Sequence, residues 1–414
     1  MKFITLFFLI VFSFSGSLFG QSKNDKIKLL AFLKGKDSLV DHVFNNHEKY
    51  NLEIIFGDVN NLTNDSVEVH NVKLFENDNY FYPASTIKLP CAILALEKLK
   101  QLGIPENHYF RIKDEFICGN MMHVLNSNKN KSSFYELIKL MLVVSDNVAY
   151  NSIYELLTSS YINKQLTARE INKTTIYKKF AGCNIVENLK FNPIYFYDTN
   201  NNLISQQESS ILDLSEMANK YSYSSNKLIG KHYRQNKKVI HKPFDFNYNI
   251  EASLTDLHNC LTRLVYPKSV SENLRWNIKE NDRVFLLKNL GLYPKELNLK
   301  EYNDTVIFPD DLLKYIAIGG VDENEKNNVR TLSKIGVSYG FITETSLVID
   351  FENKVNFFLS ARMHVNENQT LNDNIYEYET VAKPFLGKLG QLLIEYQKIY
   401  GFKKDLSEFQ ELFN

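Results

Sequence analysis

The sequence predicts an α+β protein, with an antiparallel sheet built from both ends of the chain, flanking helices, and a mostly helical lobe inserted between the two halves. Three observations carry that prediction. Leu52 to Gly57 and Val67 to Val72 are short apolar runs with strand character, joined by the turn-rich Asn60 to Asp65. Val337 to Ile342, Ser346 to Asp350 and Val355 to Ala361 read the same way near the other end, with Asn353 at a turn. Between these groups the apolar residues recur with helical spacing. Strands at the two ends with helices between them close most simply into one sheet carrying an inserted lobe. The expected boundaries are a sheet lobe over 21–88 and 325–414 and a helical lobe over 89–324.

Taken in order, the first twenty residues have the form of a secretory signal. Lys2 is charged, Phe3 to Phe12 are apolar except for Thr5, and Ser13 to Ser17 are mostly small. Cleavage after Gly20 would leave Gln21 as the mature end of a secreted or periplasmic protein. No second apolar stretch is long enough to span a bilayer. Ile27 to Phe44 reads as one amphipathic helix. The run from Pro83-Ala84 through Ala92 to Leu102 reads as another, in which Pro90 should cost a hydrogen bond or a slight kink. Ser133-Phe134-Tyr135-Glu136 has the form of a capping box opening the helix of Leu137 to Val144. Asn147 to Leu157, Ile211 to Tyr221, Leu254 to Val265 and Asp282 to Leu290 are further helices. Val381 to Tyr400 closes the chain, with Pro384 tolerated in its first turn.

Composition narrows the function. The 414 residues are 44% hydrophobic and 13% aromatic, enough for a sizeable core. Lysine and arginine total 48 against 48 acidic residues, so the net charge is zero. No basic stripe points to nucleic acid, and Lys227 to Lys238 reads as solvated surface. The nine histidines, His42 and His47 among them, show no metal-ligand spacing, so neither metal nor cofactor is expected. A monomer acting on a small molecule is the simplest expectation. Of Cys91, Cys118, Cys183 and Cys260, the first two are the better guess for a bridge, with buried free thiols the alternative.

The chemistry is concentrated in three short motifs. Ser85-Thr86-Ile87-Lys88 opens an apolar helix, and residues three apart share a helix face. Unpaired N–H groups on a first turn favour developing negative charge, and a desolvated lysine can lose its proton to activate a hydroxyl. Ser224-Ser225-Asn226-Lys227 has the same spacing in a polar stretch. Only the first is followed by partners: Ser145-Asp146-Asn147 directly after a helix, and Ser333-Lys334-Ile335-Gly336 at a strand.

S-x-x-K, then S-D-N, then a lysine–glycine triad on a strand is the signature of serine β-lactamases and penicillin-binding proteins. The chain therefore resembles the class A β-lactamase-like and penicillin-binding-protein-like serine hydrolases over nearly all of its length after the leader. The resemblance implies that Ser85 is acylated and that Lys88 accepts its proton. It implies that Ser145 passes a proton to the leaving nitrogen and that Lys334 holds Ser145 while attracting a substrate carboxylate. Asn147, Gly336, Val337 and Ser338 would line the substrate. The N–H groups of Ser85 and Val337 would form the oxyanion hole, and Asp146 would pin its turn.

Two departures stand out. The lysine triad of this family has a hydroxyl residue in its middle position, where this chain has Ile335; Ser333 or Ser338 could compensate. The glutamate that activates water in efficient β-lactamases has no clean match. Asn184 stands where it would fall in Asn184-Ile185-Val186-Glu187-Asn188, with Glu187 as a possible deacylation base and Glu170 as a weaker one. The stretch from Asn147 to Lys334 is longer than this family usually needs, with Ile194 to Gln207 and Asp245 to Ala252 the candidate insertions. β-Lactam hydrolysis by an acyl-enzyme is the expected activity. A D-alanyl peptidase or esterase, and a slowly deacylating sensor of β-lactams or peptidoglycan fragments, are the alternatives.

Overall fold

The computed structural model describes residues 24–63, 66–116, 118, 132–213, 226–322, 326 and 328–414. The segment expected to be a leader, Ser224, Ser225 and most of the helix expected over 211–221 lie outside the described residues. Residues 210–211 form a short strand.

Five strands make the central antiparallel sheet: β1 (Glu53–Thr63), β2 (Ser66–Leu74), β3 (Val329–Ser338), β4 (Phe341–Asp350) and β5 (Val355–His364), in the order β3-β4-β5-β1-β2. The two chain ends meet where β1 pairs with β5, Glu53 opposite Arg362 and Phe56 opposite Leu359. The sheet built from both termini is thus observed. One expectation fails within it, because Val337 to Ile342 is not a strand but a hairpin. β3 runs back to Val329, and Tyr339 (φ 54°) and Gly340 (φ 84°) turn the chain into β4. Tyr339 stands between Ser338 and Gly340, and the glycine is the turn signal that the strand reading passes over.

Both faces of the sheet are covered. On one side Ile54, Phe56, Ile335, Ile342, Phe357 and Leu359 pack beneath a helix over 24–33 (α1), α2 (Ser38–Asn45) and a long C-terminal helix (Lys383–Tyr400). On the other, Leu332, Leu347 and Phe358 meet the helical lobe. Every residue of β4 is buried, which is why the strands read as apolar runs rather than alternations. The single helix expected over 27–44 is two helices. Gly35 turns at φ 76°, and the Asp37 carboxylate then caps α2 by accepting from the N–H groups of Leu39 and Val40.

The helical lobe contains α3 (Lys88–Leu102), α4 (Phe134–Val143), α5 (Asn147–Leu157), α6 (Ser159–Thr167), α7 (Leu254–Val265) and α8 (Glu280–Gly291). α4 starts at the expected capping box: Glu136 N–H donates to Ser133 Oγ at 3.2 Å and Ser133 N–H to Glu136 Oε2 at 2.7 Å. Pro90 falls in the first turn of α3, where its fixed φ is tolerated. His258 on α7 is buried against the sheet, one ring nitrogen 2.9 Å from Ser360 Oγ and the other 3.0 Å from Asn71 Oδ1.

The longer stretch after Asn147 adds strands rather than helix. Ile194–Tyr197 and Leu203–Gln207 form a hairpin on Tyr109–Ile112, and Glu251–Ala252 pairs with Thr174–Thr175. The disulfide joins Cys118 to Cys183, not Cys91 to Cys118. Cys91 is a thiol packed inside α3 and Cys260 a thiol packed inside α7, both fully enclosed by the core.

Candidate active site

Ser85 lies on a single 3₁₀ turn, Ala84–Ile87, that runs straight into α3. Ala84 ahead of it takes φ 46°, an uncommon conformation for a residue with a side chain. The turn is tied to the sheet from two directions. Thr86 Oγ1 donates to the carbonyl of Thr343 in β4 at 3.0 Å. β3 presses against it at Gly336, where a Cβ would stand 2.1 Å from Pro83 O and 2.7 Å from Ser85 N. No side chain fits at position 336, and that close approach brings the edge of β3 to the serine. Ser85 is half-buried, and among the described residues its hydroxyl makes no hydrogen bond.

Lys88, on the first turn of α3, is fully buried. Its ammonium donates to the carbonyl of Ser145 at 2.5 Å, to Asn147 Oδ1 at 2.7 Å and to Ser145 Oγ at 3.2 Å. Lys334, fully buried in β3, donates to Ser145 Oγ at 3.1 Å and to the carbonyl of Ile335 at 2.9 Å. Two lysines from distant parts of the chain thus meet on one hydroxyl. Ser145 is held there at φ 57°, in the bend between α4 and α5. Asp146 secures that bend by accepting from Ala149 N–H at 2.6 Å.

The electrostatics suit proton transfer. Burial, and then the charge of Lys334, hold the Lys88 amine well below the ordinary lysine range. Burial lowers Lys334 to about 7, helped by the charge of Lys314 behind the strand and opposed by Glu344. Three acceptors around Lys88 suit an ammonium, but desolvation is the larger effect and favours the neutral amine.

β3 is an edge strand, so alternate backbone groups face away from β4. The Ile335 carbonyl bonded to Lys334 Nζ marks that free edge, and Val337, two residues on, presents its N–H along it. Ile335 itself is turned to the opposite face, into the core beneath the C-terminal helix. Ser333 is also buried on that far side, within reach of Lys314 Nζ at 3.4 Å, whereas Ser338 is half-buried at the end of the strand.

Of the expected residues, Lys88, Ser145, Asn147 and Lys334 are linked by hydrogen bonds, and Ser85, Gly336 and Val337 lie where the turn meets β3. Glu187 and Asn184 do not join them. Glu187 Oε2 accepts from Asn184 N–H at 2.8 Å while Asn184 Oδ1 accepts from Glu187 N–H at 2.9 Å, a reciprocal cap on a short 3₁₀ turn. The Glu187 carboxylate is within 4.8 Å of the disulfide sulfurs, which offer no thiolate to a metal. Glu170 is exposed beside a separate cavity of about 460 Å³ that also touches Glu53 and Arg362. Of the competing motif, Lys227 is buried and paired with Glu251 at 2.7 Å, not solvated as expected.

Two residues were missed. The ring of Phe180 lies 5.4 Å from Lys88 Nζ, on the same amine that the Tyr150 ring approaches at 5.9 Å. Asn151, one turn past Asn147 on α5, fixes it there, accepting from Phe180 N–H at 2.7 Å. A fully buried pair, Lys179 Nζ to Glu155 Oε1 at 2.8 Å, anchors the preceding residue. Nothing in Lys178-Lys179-Phe180 signals burial, so the sequence offered no clue.

Residues 41–228 match the model of the β-lactamase enzyme family. The chain is similar to that family over those residues, a little under half of its length. Among solved structures it shares its fold with TLA-3 extended-spectrum β-lactamase, at 12% identity and a TM-score of 0.50, covering 88% of this chain and 100% of that one. It shares it also with a mutant of PBP-A in an acyl-enzyme complex with penicillin G, at 12% identity and a TM-score of 0.50, covering 87% and 96%. No curated protein matches the sequence. Among the described residues no helix of this β-lactamase-like chain is long and apolar enough to cross a membrane.

Proposed function

We propose that this protein is an exported serine hydrolase that opens β-lactams through an acyl-enzyme on Ser85 and releases the product slowly. The observation that carries the reading is the Lys88–Ser145–Lys334 chain of hydrogen bonds beside an unbonded serine hydroxyl. The Lys88 amine takes the Ser85 proton, directly or through a water, as Ser85 Oγ bonds to the lactam carbonyl carbon. The N–H groups of Ser85 and Val337 hold the oxyanion, each donor worth about 3 kcal/mol in the transition state. The ring C–N bond then breaks as Ser145 Oγ gives its proton to the nitrogen, and Ser145 is reprotonated from the adjoining lysines. Asn147 orients the substrate amide, and Gly336 and Ser338 border it.

Phe180 favours the slow second half. A phenyl ring beside Lys88 accepts no proton, and Glu187 is engaged in its own cap. This supports a long-lived adduct, as in a sensor of β-lactams or peptidoglycan fragments, over efficient turnover. A D-alanyl peptidase or esterase remains the reading if β-lactams leave Ser85 unmodified. Export is supported by the leader-like first twenty residues. Intact-mass detection of the adduct, with turnover of a chromogenic cephalosporin, tests the proposal: a persistent adduct with a slow steady rate is expected. Fast turnover with no adduct refutes the slow release, and neither signal refutes the substrate class.

A further inference from the structure

Behind β3, on the face opposite Lys334, lies a second buried lysine that the acyl-transfer chemistry does not use. Lys314 Nζ donates to the carbonyl of Leu290 at the end of α8, to the carbonyl of Thr331 at 3.2 Å and to Ser333 Oγ at 3.4 Å. The next two residues are fixed to β4: Glu344 Oε2 accepts from the N–H groups of Tyr315 at 3.0 Å and Ile316 at 2.9 Å. All three side chains, Lys314, Ser333 and Glu344, are buried. The segment is thus stapled across the back of the two strands at the level of the lysine triad. A buried cation and carboxylate are costly to keep out of water, and such groups persist where they position something.

We propose that Lys314 is a positioning residue for Lys334: bonded to β3 on either side of Leu332, it holds Lys334 on Ser145 and sets the pH range in which the site reacts. The inference rests on the acyl-transfer reading above. The groups acting on Lys334 are Lys88 from α3, which shares Ser145 with it, and Lys314 with Glu344 through the sheet, while Asp146 in the α4–α5 bend acts on Lys88. Those acting on Lys314 are Glu344 from β4, Arg330 from β3 and Glu296 from the turn at Pro294–Leu297. The Lys314 charge disfavours a second cation at Lys334, and Glu344 works in the opposite sense. Both act across a wall of buried side chains, where charge effects are strong.

The test is the pH dependence of Ser85 acylation by a labelled penicillin, followed by intact mass. Wild type should show a titration with a midpoint near pH 7. Lys314→Met removes the charge and should raise that midpoint by on the order of one pH unit. Burial brings the Lys314 amine itself down to about 7, so Lys314→Arg, which stays charged, should leave the midpoint in place or lower it and should not raise it. Glu344→Gln should lower it, which gives a second, opposite sign should the methionine variant not fold. A uniform loss of rate at every pH, with the midpoint unmoved in both Lys314→Met and Glu344→Gln, would mean a merely structural role and overturn the proposal. A wild-type protein that is never labelled overturns the acyl-transfer reading and this inference with it.

Discussion

Replacing Phe180 with glutamate should shorten the lifetime of the acyl-enzyme. The backbone at 180 is held by Asn151, so the new side chain starts from the same place and points toward Lys88. The ring centre it replaces is 5.4 Å from Nζ, so a carboxylate there would stand about one bridging water from the Lys88 amine. A base so placed is typically worth roughly 10²- to 10⁴-fold. Two effects oppose the gain. The carboxylate favours the charged form of Lys88, and a shift of about one unit would slow acylation by about tenfold. The site is also largely enclosed, which disfavours the carboxylate itself. Faster deacylation outweighs both, so turnover should rise while the burst slows. Quenched mass spectrometry separates the two steps. Phe180→Gln is the control, since an amide admits water but accepts no proton. An adduct that decays equally fast in both variants would refute base catalysis in favour of simple water access. An unchanged lifetime in a folded Phe180→Glu protein would refute the placement altogether.

Other outcomes follow from the same geometry. Labelling by penicillin or a fluorophosphonate should map to Ser85 and vanish in Ser85→Ala; label on Ser224 would sink the assignment. Lys88→Arg should abolish acylation because arginine stays charged, whereas Lys334→Arg should retain part of it; equal activity of the two variants would mean the roles are wrong. Burial pushes His258 down to about 3, below its unfolded value near 6.5. Folding therefore excludes a proton that the unfolded chain takes up, and this contribution to stability is present above pH 6.5 and lost as pH falls towards 3. It amounts to about 5 kcal/mol at most, and urea titrations at pH 7 and pH 4 should show a difference that His258→Gln reduces. Replacing Cys118 and Cys183 by serine opens a loop of 65 residues and should cost about 4 kcal/mol in the chain-entropy picture, read as a fall in Tm.

The parts of this molecule that were legible in its sequence are those where local chemistry decides. Ser133 and Glu136 announce a helix start because their two hydrogen bonds close within four residues. The three motifs were readable because each sits at an element boundary, where a polar residue beside an apolar run has few other uses. What was hidden depends on distant partners. The turn at Tyr339-Gly340 is held by the Tyr378 hydroxyl, which accepts from Gly340 N–H, and by His364, close to the Tyr339 carbonyl. Cys183 finds Cys118 only because loop 178–192 folds back over α5. Phe180 could not be foreseen, since its place beside Lys88 follows from Asn151 and the Glu155–Lys179 pair rather than from its neighbours.

The pairing of β1 with β5 has a consequence for how the molecule comes into being. Glu53 and Arg362 are about three hundred residues apart, and the serine turn must likewise wait for a strand from the last quarter of the chain. Contacts of such long range are slow to form, and a chain emerging from its N-terminus carries β1 and β2 with an unpaired edge for most of its synthesis. On the proposed mechanism, Ser85 therefore has no oxyanion donor from β3 until the final sheet closes. The appearance of penicillin labelling during refolding would time that closure, the last event in assembling the native state.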